Sequence, residues 1–555
     1  MIPEKEAIDI EFKSDVKRYP DRELIEAVAA MANTNGGVLY LGVEDDGSIT
    51  GLHKNHMDSI GIVELIANNT VPSITVRAEI VLEAGTNIMK ISIPISRAVV
   101  STSTGKILKR RLKLDGSPEA VPMYAYEITS RLSDLSLLDL SAQPLAGATL
   151  DDFDNLQLER MRKIIQTHPG GEKSLLELNN EELELALRLI SKENGKMVPT
   201  MTGMLLLGKE EALSKLLPTA KASFQVLEGT DVRMNEETSK PILEVVEIFQ
   251  TYIKPWNPEN EFEYGLFRIP VPEFSYGAVR EGLINAFCHR DYSMLGGVRV
   301  LIDDEGMSIT NVGGFIEGVN IDNLLIVEPH GRNPALADAL KRIGLAEKTG
   351  RGIDRIFEGS IVYGRPLPDY SESTSRNVRL YLRRAKADIA FAKLITAEKE
   401  RDSKGFSIYA LMILSCLREC RRSTMEQLVW RTRLPEAKLA VSIEQLVERG
   451  LVEAVGKGKM RSFMLCQTYY HNNRANMQYV RQSGIDDIRH EELIIKLAKT
   501  QQGIFTKRDV MELLGVSDTA AYALIKKLKE QGEVDIFQSG RYSKYILRKN
   551  IDELS

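Results

Sequence analysis

The chain has 555 residues, 43% of them hydrophobic and 27% charged, with a net charge of −6. This is the composition of a soluble globular protein with several domains, and without a global basic field any nucleic-acid contact must come from local patches. No apolar run approaches a membrane span and Met1-Ile2-Pro3-Glu4-Lys5-Glu6 is no signal peptide, so a cytoplasmic protein with no membrane partner is expected.

Residues 1–130 read as an α/β unit. Leu24 to Ala32 is a helix that stops at Asn33-Thr34-Asn35-Gly36-Gly37, and Val38 to Val43 follows as a buried strand turned by Asp45-Asp46-Gly47. Further strands are expected at Ile74–Arg77 and Asn87–Ile93. Lys13, Lys17 and Arg18, with Lys106, Lys109, Arg110, Arg111 and Lys113, make basic patches that phosphate could use. Residues 131–198 read as a charged helical connection, with helices over Leu156–Ile165 and Asn180–Lys192.

Residues 199–385 hold the most informative stretch. A helix running from Ser275-Tyr276-Gly277 to His289 places Glu281 and Asn285 four apart on one face, while Val279, Leu283, Ile284 and Phe287 are apolar. A carboxylate and an amide one turn apart can hold a metal ion and a water together. Two strands, Val298–Ile302 and Met307–Thr310, flank the turn Asp303-Asp304-Glu305-Gly306 and lead into Asn311-Val312-Gly313-Gly314. Arg332-Asn333-Pro334 opens a helix, and Thr349-Gly350-Arg351-Gly352-Ile353 opens another. Gly350 and Gly352 there offer free N–H groups and a positive dipole end, both suited to phosphate. Gly313 and Gly314 would let backbone approach a nucleotide.

Residues 405–466 and 490–548 share one plan: helix, helix, turn, helix, then a glycine and a basic hairpin. In the first, Ser423-Thr424 caps Met425–Arg431, Leu434-Pro435 turns, Glu436–Arg449 is the third helix, and Lys457, Lys459 and Arg461 mark the hairpin. In the second, Thr506 caps Lys507–Leu514, Val516-Ser517 turns, Asp518–Gln531 is the third helix, and Arg541 and Lys544 mark the hairpin. Each resembles a winged helix-turn-helix, a third helix for the major groove and a wing for phosphates. Glu436, Glu444 and Glu448 argue against DNA on the first, whereas Lys526, Arg541 and Lys544 make the second the expected DNA reader. The cysteines, Cys288, Cys416, Cys420 and Cys466, lack paired metal spacing, and Cys416 and Cys420 sit in an apolar helical run that reads as packing.

Two family resemblances follow from these strings. His289-Arg290-Asp291-Tyr292-Ser293, Ile309–Gly314, Arg332-Asn333-Pro334 and Thr349–Ile353 resemble the GHKL (Bergerat-type) ATP-binding module at the C-terminus of proteins named RecG-like helicases. The resemblance implies that Asn285 holds magnesium, that Glu281 activates water, and that Asn311 stands where better-known relatives carry an Asp against adenine. A helicase motor is excluded, because Gly-x-x-x-x-Gly-Lys-Ser/Thr is missing and Gly456-Lys457-Gly458-Lys459 has the wrong spacing. Glu11-Phe12-Lys13, Ala32–Gly37 and Gly42-Val43-Glu44-Asp45-Asp46-Gly47 resemble the Schlafen/AlbA-type domain. Its nuclease members gather three carboxylates around a divalent ion, which carries those roles onto Glu6, Glu11 and Asp45, with Mg2+ or Mn2+ as the metal. The residues themselves also allow a plain hairpin turn and a domain that binds without cutting.

The expected architecture is therefore α/β and α+β multidomain: a Schlafen/AlbA-like domain (1–130), a helical connection (131–198), a GHKL-like α/β sandwich (199–385) and two winged helices (405–466, 490–548). The expected function is an ATP-binding, DNA-binding bacterial regulator, with ATP and Mg2+ as cofactors and a homo-oligomeric state. The alternatives are an ATP-gated, metal-dependent nuclease acting on RNA and an assembly factor controlled by ATP.

Overall fold

The computed structural model describes residues 2–264, 267–328, 330–347, 350–402, 405–456, 461–472, 490–514, 516–538 and 543–548. The chain divides into two compact units, one of Met1–Gln143, Asp291–Leu295 and Gly331–Leu336, the other of Pro144–Arg290, Gly296–His330 and Ala337–Ser555. No described helix is long and apolar enough to cross a membrane.

The first unit is built on β1 (Ile10–Lys13), α1 (Asp21–Ala32), β2 (Gly37–Leu41), α2 (Ser59–Asn68), β3 (Arg77–Glu83), β4 (Thr86–Ile93), β5 (Leu108–Leu112), β6 (Pro118–Pro122) and α3 (Ala125–Asp134). The main sheet has the order β1-β2-β4-β3, with β1 parallel to β2 and the other pairs antiparallel. Helix α1 carries acids in its first turn and buries Leu24, Val28 and Met31 with Leu39, Leu41, Met89 and Ile91. Phe12, Tyr40, Val43 and Ile88 form a smaller cluster. Asn33, just past α1, is a buried stitch: its side chain donates to the carbonyls of Val100 (2.7 Å) and Leu108 (2.9 Å) and accepts from Val100 N (2.8 Å). Gly37 has no room for a side chain, since a Cβ would lie 1.9 Å from the Asp9 carbonyl oxygen. The Asn-Thr-Asn-Gly-Gly string is thus spent on local architecture. The strand expected at Ile74–Arg77 begins only at Arg77, although Ile74 and Val76 are buried.

In the second unit the connection has a helix over Asn155–Thr167 as expected, but the second helix ends at Ala186. Ile190–Glu193 instead pairs with Lys196–Pro199 as a hairpin. The turn Glu193-Asn194-Gly195, with positive φ at Asn194 and Gly195, closes it and explains the difference. A five-stranded mixed sheet follows, made of β7 (Lys221–Glu228), β8 (Asp231–Thr238), β9 (Gly297–Ile302), β10 (Gly306–Val312) and β11 (Asn377–Arg383) in the order β8-β7-β9-β10-β11. Only β7 and β9 run parallel. Helices α4 (Ile242–Ile253), α5 (Tyr276–His289), α6 (Pro334–Ile343) and α7 (Gly352–Ile361) lie among these strands in sequence. Helix α5 buries Val279, Leu283, Ile284 and Phe287, as its periodicity predicts. Its Gly282 sits against Ile309 and Leu380 of the sheet, so the α5-covered face is the one bearing Ile309.

After α8 (Ile389–Arg401) the chain repeats one element order. The first copy is α9 (Ile408–Cys420), β12 (Arg422–Thr424), α10 (Met425–Thr432), α11 (Glu436–Glu448), β13 (Val452–Val455) and β14 (Ser462–Leu465). The second is α12 (His490–Thr500), β15 (Ile504–Thr506), α13 (Lys507–Leu514), α14 (Asp518–Glu530), β16 (Val534–Gln538) and β17 (Lys544–Leu547). Each ends in a three-stranded sheet with the last strand in the middle. Helix α10 starts with a reciprocal box between Thr424 and Gln427, and α13 with one between Thr506 and Asp509.

Candidate functional site: a buried carboxylate on α5 and the N-terminal acids

Glu281 is 2% exposed, and its Oε2 has no hydrogen-bond partner among the described residues. The carboxylate accepts the backbone N–H of Glu347, and Glu347 is in turn ion-paired with Arg355. Burial pushes the Glu281 carboxyl above its usual 4.5; Arg280 and Arg355 pull it down and Glu347 pushes it up. The first residue of α7, Gly352, lies against it: a Cβ there would be 2.2 Å from Oε1. A carboxylate is thus set at the head of α7, where the helix dipole favours negative charge. Tyr370, wholly enclosed, has its phenol pushed up by burial and then by the Glu281 charge. Asn285 stands one turn further along α5, half-buried.

Asn311 is 4% exposed on β10, and its Nδ2 donates to the Val312 carbonyl at 3.3 Å. It shares with Ile309 the face that α5 covers, by the two-residue period of a strand. Gly313 has φ +94 and donates its N–H to the Arg376 carbonyl (2.8 Å). A Cβ on Gly314 would lie 2.7 Å from the Ser375 carbonyl. This pair is therefore required by the chain's own 374–376 backbone, not by room left for a nucleotide. Gly350 adopts positive φ before α7, whereas Lys348 and Thr349 lie outside the described residues.

Glu281 gives a pH-dependent prediction. Its folded pKa lies above the unfolded one, so the folded chain holds this proton more tightly. By linkage its contribution is greatest below the unfolded value and is lost as pH rises through the folded value. Above the unfolded value this linkage works against folding. Glu281→Gln is therefore expected to leave the thermal midpoint at pH 7 equal or higher, and to flatten its fall with pH above about 4.5. A lower midpoint with an unchanged pH slope would contradict this.

The strings that flank these residues are absorbed by packing. The Arg290 guanidinium, 1% exposed, donates to the carbonyls of Thr219 (2.5 Å) and Gly296, clamping the starts of β7 and β9. Asp291 accepts from Ser130 Oγ (2.6 Å) and from Ser293 N and Oγ (2.9 and 2.6 Å). Arg332, 3% exposed, contacts Asp134 Oδ1 through Nε and a terminal nitrogen, both at 2.7 Å. Pro334 does open α6, and Ala335 N donates to Asp139 Oδ2 at 2.8 Å. Asp134, Asp139 and Ser130 carry no sequence signal of this role.

The N-terminal acids do share one neighbourhood. Glu6 accepts from Phe12 N at 2.8 Å; burial raises its pKa, Glu11 and Asp45 add to the rise, and Phe12 N–H and Lys13 oppose it. The Lys13 ammonium sits between, 2.5 Å from Glu11 Oε1 and 3.7 Å from Glu6 Oε1. Glu11 Oε2 is paired with Arg110, whose guanidinium is nearly fully buried. Asp45 lines a shallow open depression with Lys13, Ser14, Tyr19, Glu44 and Asp46. The structure thus brings the expected triad of Glu6, Glu11 and Asp45 into one neighbourhood, although no group of three or more acidic, His or Cys side chains among the described residues is arranged as a metal site. Both Glu11 oxygens are ion-paired, one with Lys13 and the other with Arg110. The expected basic patches are similarly consumed, since Arg18 pairs with Asp21, Lys106 with Glu26, Lys109 with Glu127 and Arg111 with Glu119. Sequence reasoning missed the most buried polar cluster of this unit, Asp15 with His56 at 2.9 Å and, beyond it, Asp21.

In the C-terminal repeats, Lys526 is exposed on α14 and lies 3.8 Å from Glu530; Lys527 is held by Glu491 at 2.5 Å. Lys544 is exposed at the start of β17, and Arg541, Lys457 and Lys459 lie outside the described residues. In the first repeat Arg461 meets Glu444 of α11 through two bonds, 2.6 and 3.0 Å, which cancels charge at the helix expected to be the poorer reader.

Comparison with known proteins covers three parts of the chain. The family model "Schlafen, AlbA_2" matches residues 6–115. The model "Putative ATP-dependent DNA helicase recG C-terminal" matches 296–382, which includes Asn311, Gly313, Gly314, Gly350 and Gly352 and leaves Glu281 and Asn285 just upstream. A "Domain of unknown function (DUF8451)" matches 131–223, across the connection and β7's first residues. No curated protein matches. Among solved structures, the DIP2311 protein from Corynebacterium diphtheriae is similar in fold, with a TM-score of 0.50 and 22% identity over 84% of this chain and 94% of that one. The chain thus joins an N-terminal Schlafen AlbA_2 domain to a recG C-terminal-type domain on a mixed α/β multidomain fold.

Proposed function

We propose that this protein is an ATP-binding, nucleic-acid-associated regulator in which nucleotide binds along α5 and the two C-terminal repeats serve as winged helix-turn-helix modules. The observation that carries the reading is Glu281: a carboxylate 2% exposed, with one oxygen unpartnered among the described residues, one helical turn from Asn285 and set at the head of α7. A buried ionisable group with an unused acceptor is costly unless a ligand or water completes it. The adjoining recG C-terminal match supports nucleotide as that ligand. Asn285 would hold magnesium, Glu281 would orient a water, and Asn311 lies on the same face of the sheet. Bound magnesium would offset phosphate charge there. The element order of the repeats, helix–strand–helix–helix–strand–strand, supports the winged-helix assignment, and the Schlafen AlbA_2 domain enters as a second nucleic-acid module.

Asn285→Ala is expected to abolish magnesium-dependent ATP binding in calorimetry while leaving circular dichroism unchanged; undiminished affinity would sink the nucleotide reading. For DNA, Lys526→Ala and Lys544→Ala in the full chain should weaken duplex binding and reduce the salt slope by roughly 0.9 for each phosphate that is no longer neutralised. If affinity and slope both match wild type, the second repeat is not the DNA reader.

A further inference from the structure

Helix α9 carries three sulfur side chains at four-residue spacing: Met412, Cys416 and Cys420. That spacing puts them on one face. All three line a single cavity of about 490 Å³, whose opposite wall is formed by Val429 and Trp430 of α10. The two thiols are close enough for Cys420 to add to the rise in the Cys416 pKa. Cys416 is buried and Cys420 half-buried, so one sulfur is anchored and the other partly reachable. The remaining cysteines, Cys288 and Cys466, are buried and do not line this cavity.

We propose that Cys416 and Cys420 form a dithiol site for a trivalent thiophilic centre, the class represented by organoarsenicals, in the cavity between α9 and α10. Residues four apart on a helix have Cβ atoms roughly 5–6 Å apart, within the span of two sulfurs on one central atom. Soft sulfur donors select soft centres, and Met412 adds a third one turn away. Protonation chooses within that class. Burial and the neighbouring thiol push Cys416 up to about 12, so a divalent metal would have to displace a tightly held proton. Condensation with an arsenoxide brings its own proton acceptor, the departing oxygen. Two S–H bonds and the arsenic–oxygen bond break, two arsenic–sulfur bonds form, and both hydrogens leave with the oxygen as one water. No electrons are transferred.

The chain has two tryptophans, and Trp430 is the one in the cavity wall, 76% exposed. Reduced full-length protein treated with phenylarsine oxide under native conditions is expected to gain one adduct per chain by intact mass spectrometry. Trp430 emission should change in step, and that change should vanish in Trp430→Phe. Both Cys416→Ser and Cys420→Ser should lose the adduct, whereas Cys288→Ser should keep it. Should Cys416→Ser fail to fold, the half-buried Cys420→Ser carries the test, with circular dichroism as the check on folding. Absence of an adduct on the folded wild type, or its survival in Cys420→Ser, overturns the proposal.

Discussion

Replacing Asp15 by alanine is expected to destabilise the N-terminal unit by about 3–5 kcal/mol, since three buried donors lose their acceptor at about 1–3 kcal/mol each. Asp15 is 0% exposed. It accepts from Tyr19 N at 2.8 Å, from His53 N at 2.7 Å and pairs with His56 Nδ1 at 2.9 Å. His56 is itself 1% exposed, and its Nε2 reaches Asp21 only at 3.4 Å. Alanine would leave an imidazole and two backbone N–H groups without their acceptor, each a desolvated group that water cannot rescue. Asp15→Asn keeps an acceptor and should lose much less. A chain of several domains does not unfold in one step, so the readout is local. Hydrogen exchange of amides in β1, α1 and β2 should accelerate in Asp15→Ala, with α5 and β10 unchanged. Wild-type protection in β1, α1 and β2 would show that this cluster does not hold the unit together.

How much of this could be read from the chain follows from the range of the interactions involved. Helix α5 is legible because Val279, Leu283, Ile284 and Phe287 repeat at helical spacing, and those four are buried as expected. The C-terminal helices are legible from local caps: Thr424 with Gln427 and Thr506 with Asp509 lie three residues apart. Asn180–Lys192 misleads because its leucines suit a helix, while Asn194-Gly195, which closes a hairpin, lies just outside the stretch. The spacing of Glu281 and Asn285 is visible in the chain, but not that Gly352, 71 positions later, would be pressed onto the carboxylate. Arg332 meets Asp134 across 198 positions and Ala335 meets Asp139 across 196, and no local pattern marks such pairs. The acids Glu6, Glu11 and Asp45 are neighbours, as the chain suggests, and the ion pairs of Glu11 with Lys13 and Arg110 are what no motif announces. Lys13, expected to serve phosphate, lies two residues from Glu11 on one strand; it shares that residue's face, and its ammonium is drawn to the carboxylate.

The packing of α7 against α5 yields the second large effect. Gly352 and Gly359 are seven apart and so lie on one face of α7. A Cβ on Gly359 would meet Ser275 and Ala278 Cβ at 2.8 and 2.9 Å; a Cβ on Gly352 would meet Glu281 Oε1 at 2.2 Å. Both glycines therefore set the closeness of the helices, but only Gly352 does so through the candidate site. Gly352→Ala is expected to cost about 1–3 kcal/mol, the usual range for overpacking a filled interior. The carboxylate cannot simply swing away, because it is buried and held by the Glu347 N–H. Shortening Glu281 creates the missing space. In a double-mutant cycle, Gly352→Ala should therefore be much less costly in a Glu281→Ala background, with a coupling of about 0.5–3 kcal/mol in the favourable direction. Gly359→Ala should show no such rescue by Glu281→Ala, since its clash is with Ser275 and Ala278. Hydrogen exchange of the most protected amides in α5 and α7, compared across the four variants of each cycle, measures both couplings. Additive costs at Gly352 would mean that the α7 terminus moves aside and that Glu281 is not gripped by it. A nucleotide-binding defect confined to Gly352→Ala, with Gly359→Ala binding normally, would then tie the carboxylate's position, rather than helix packing at large, to ligand recognition.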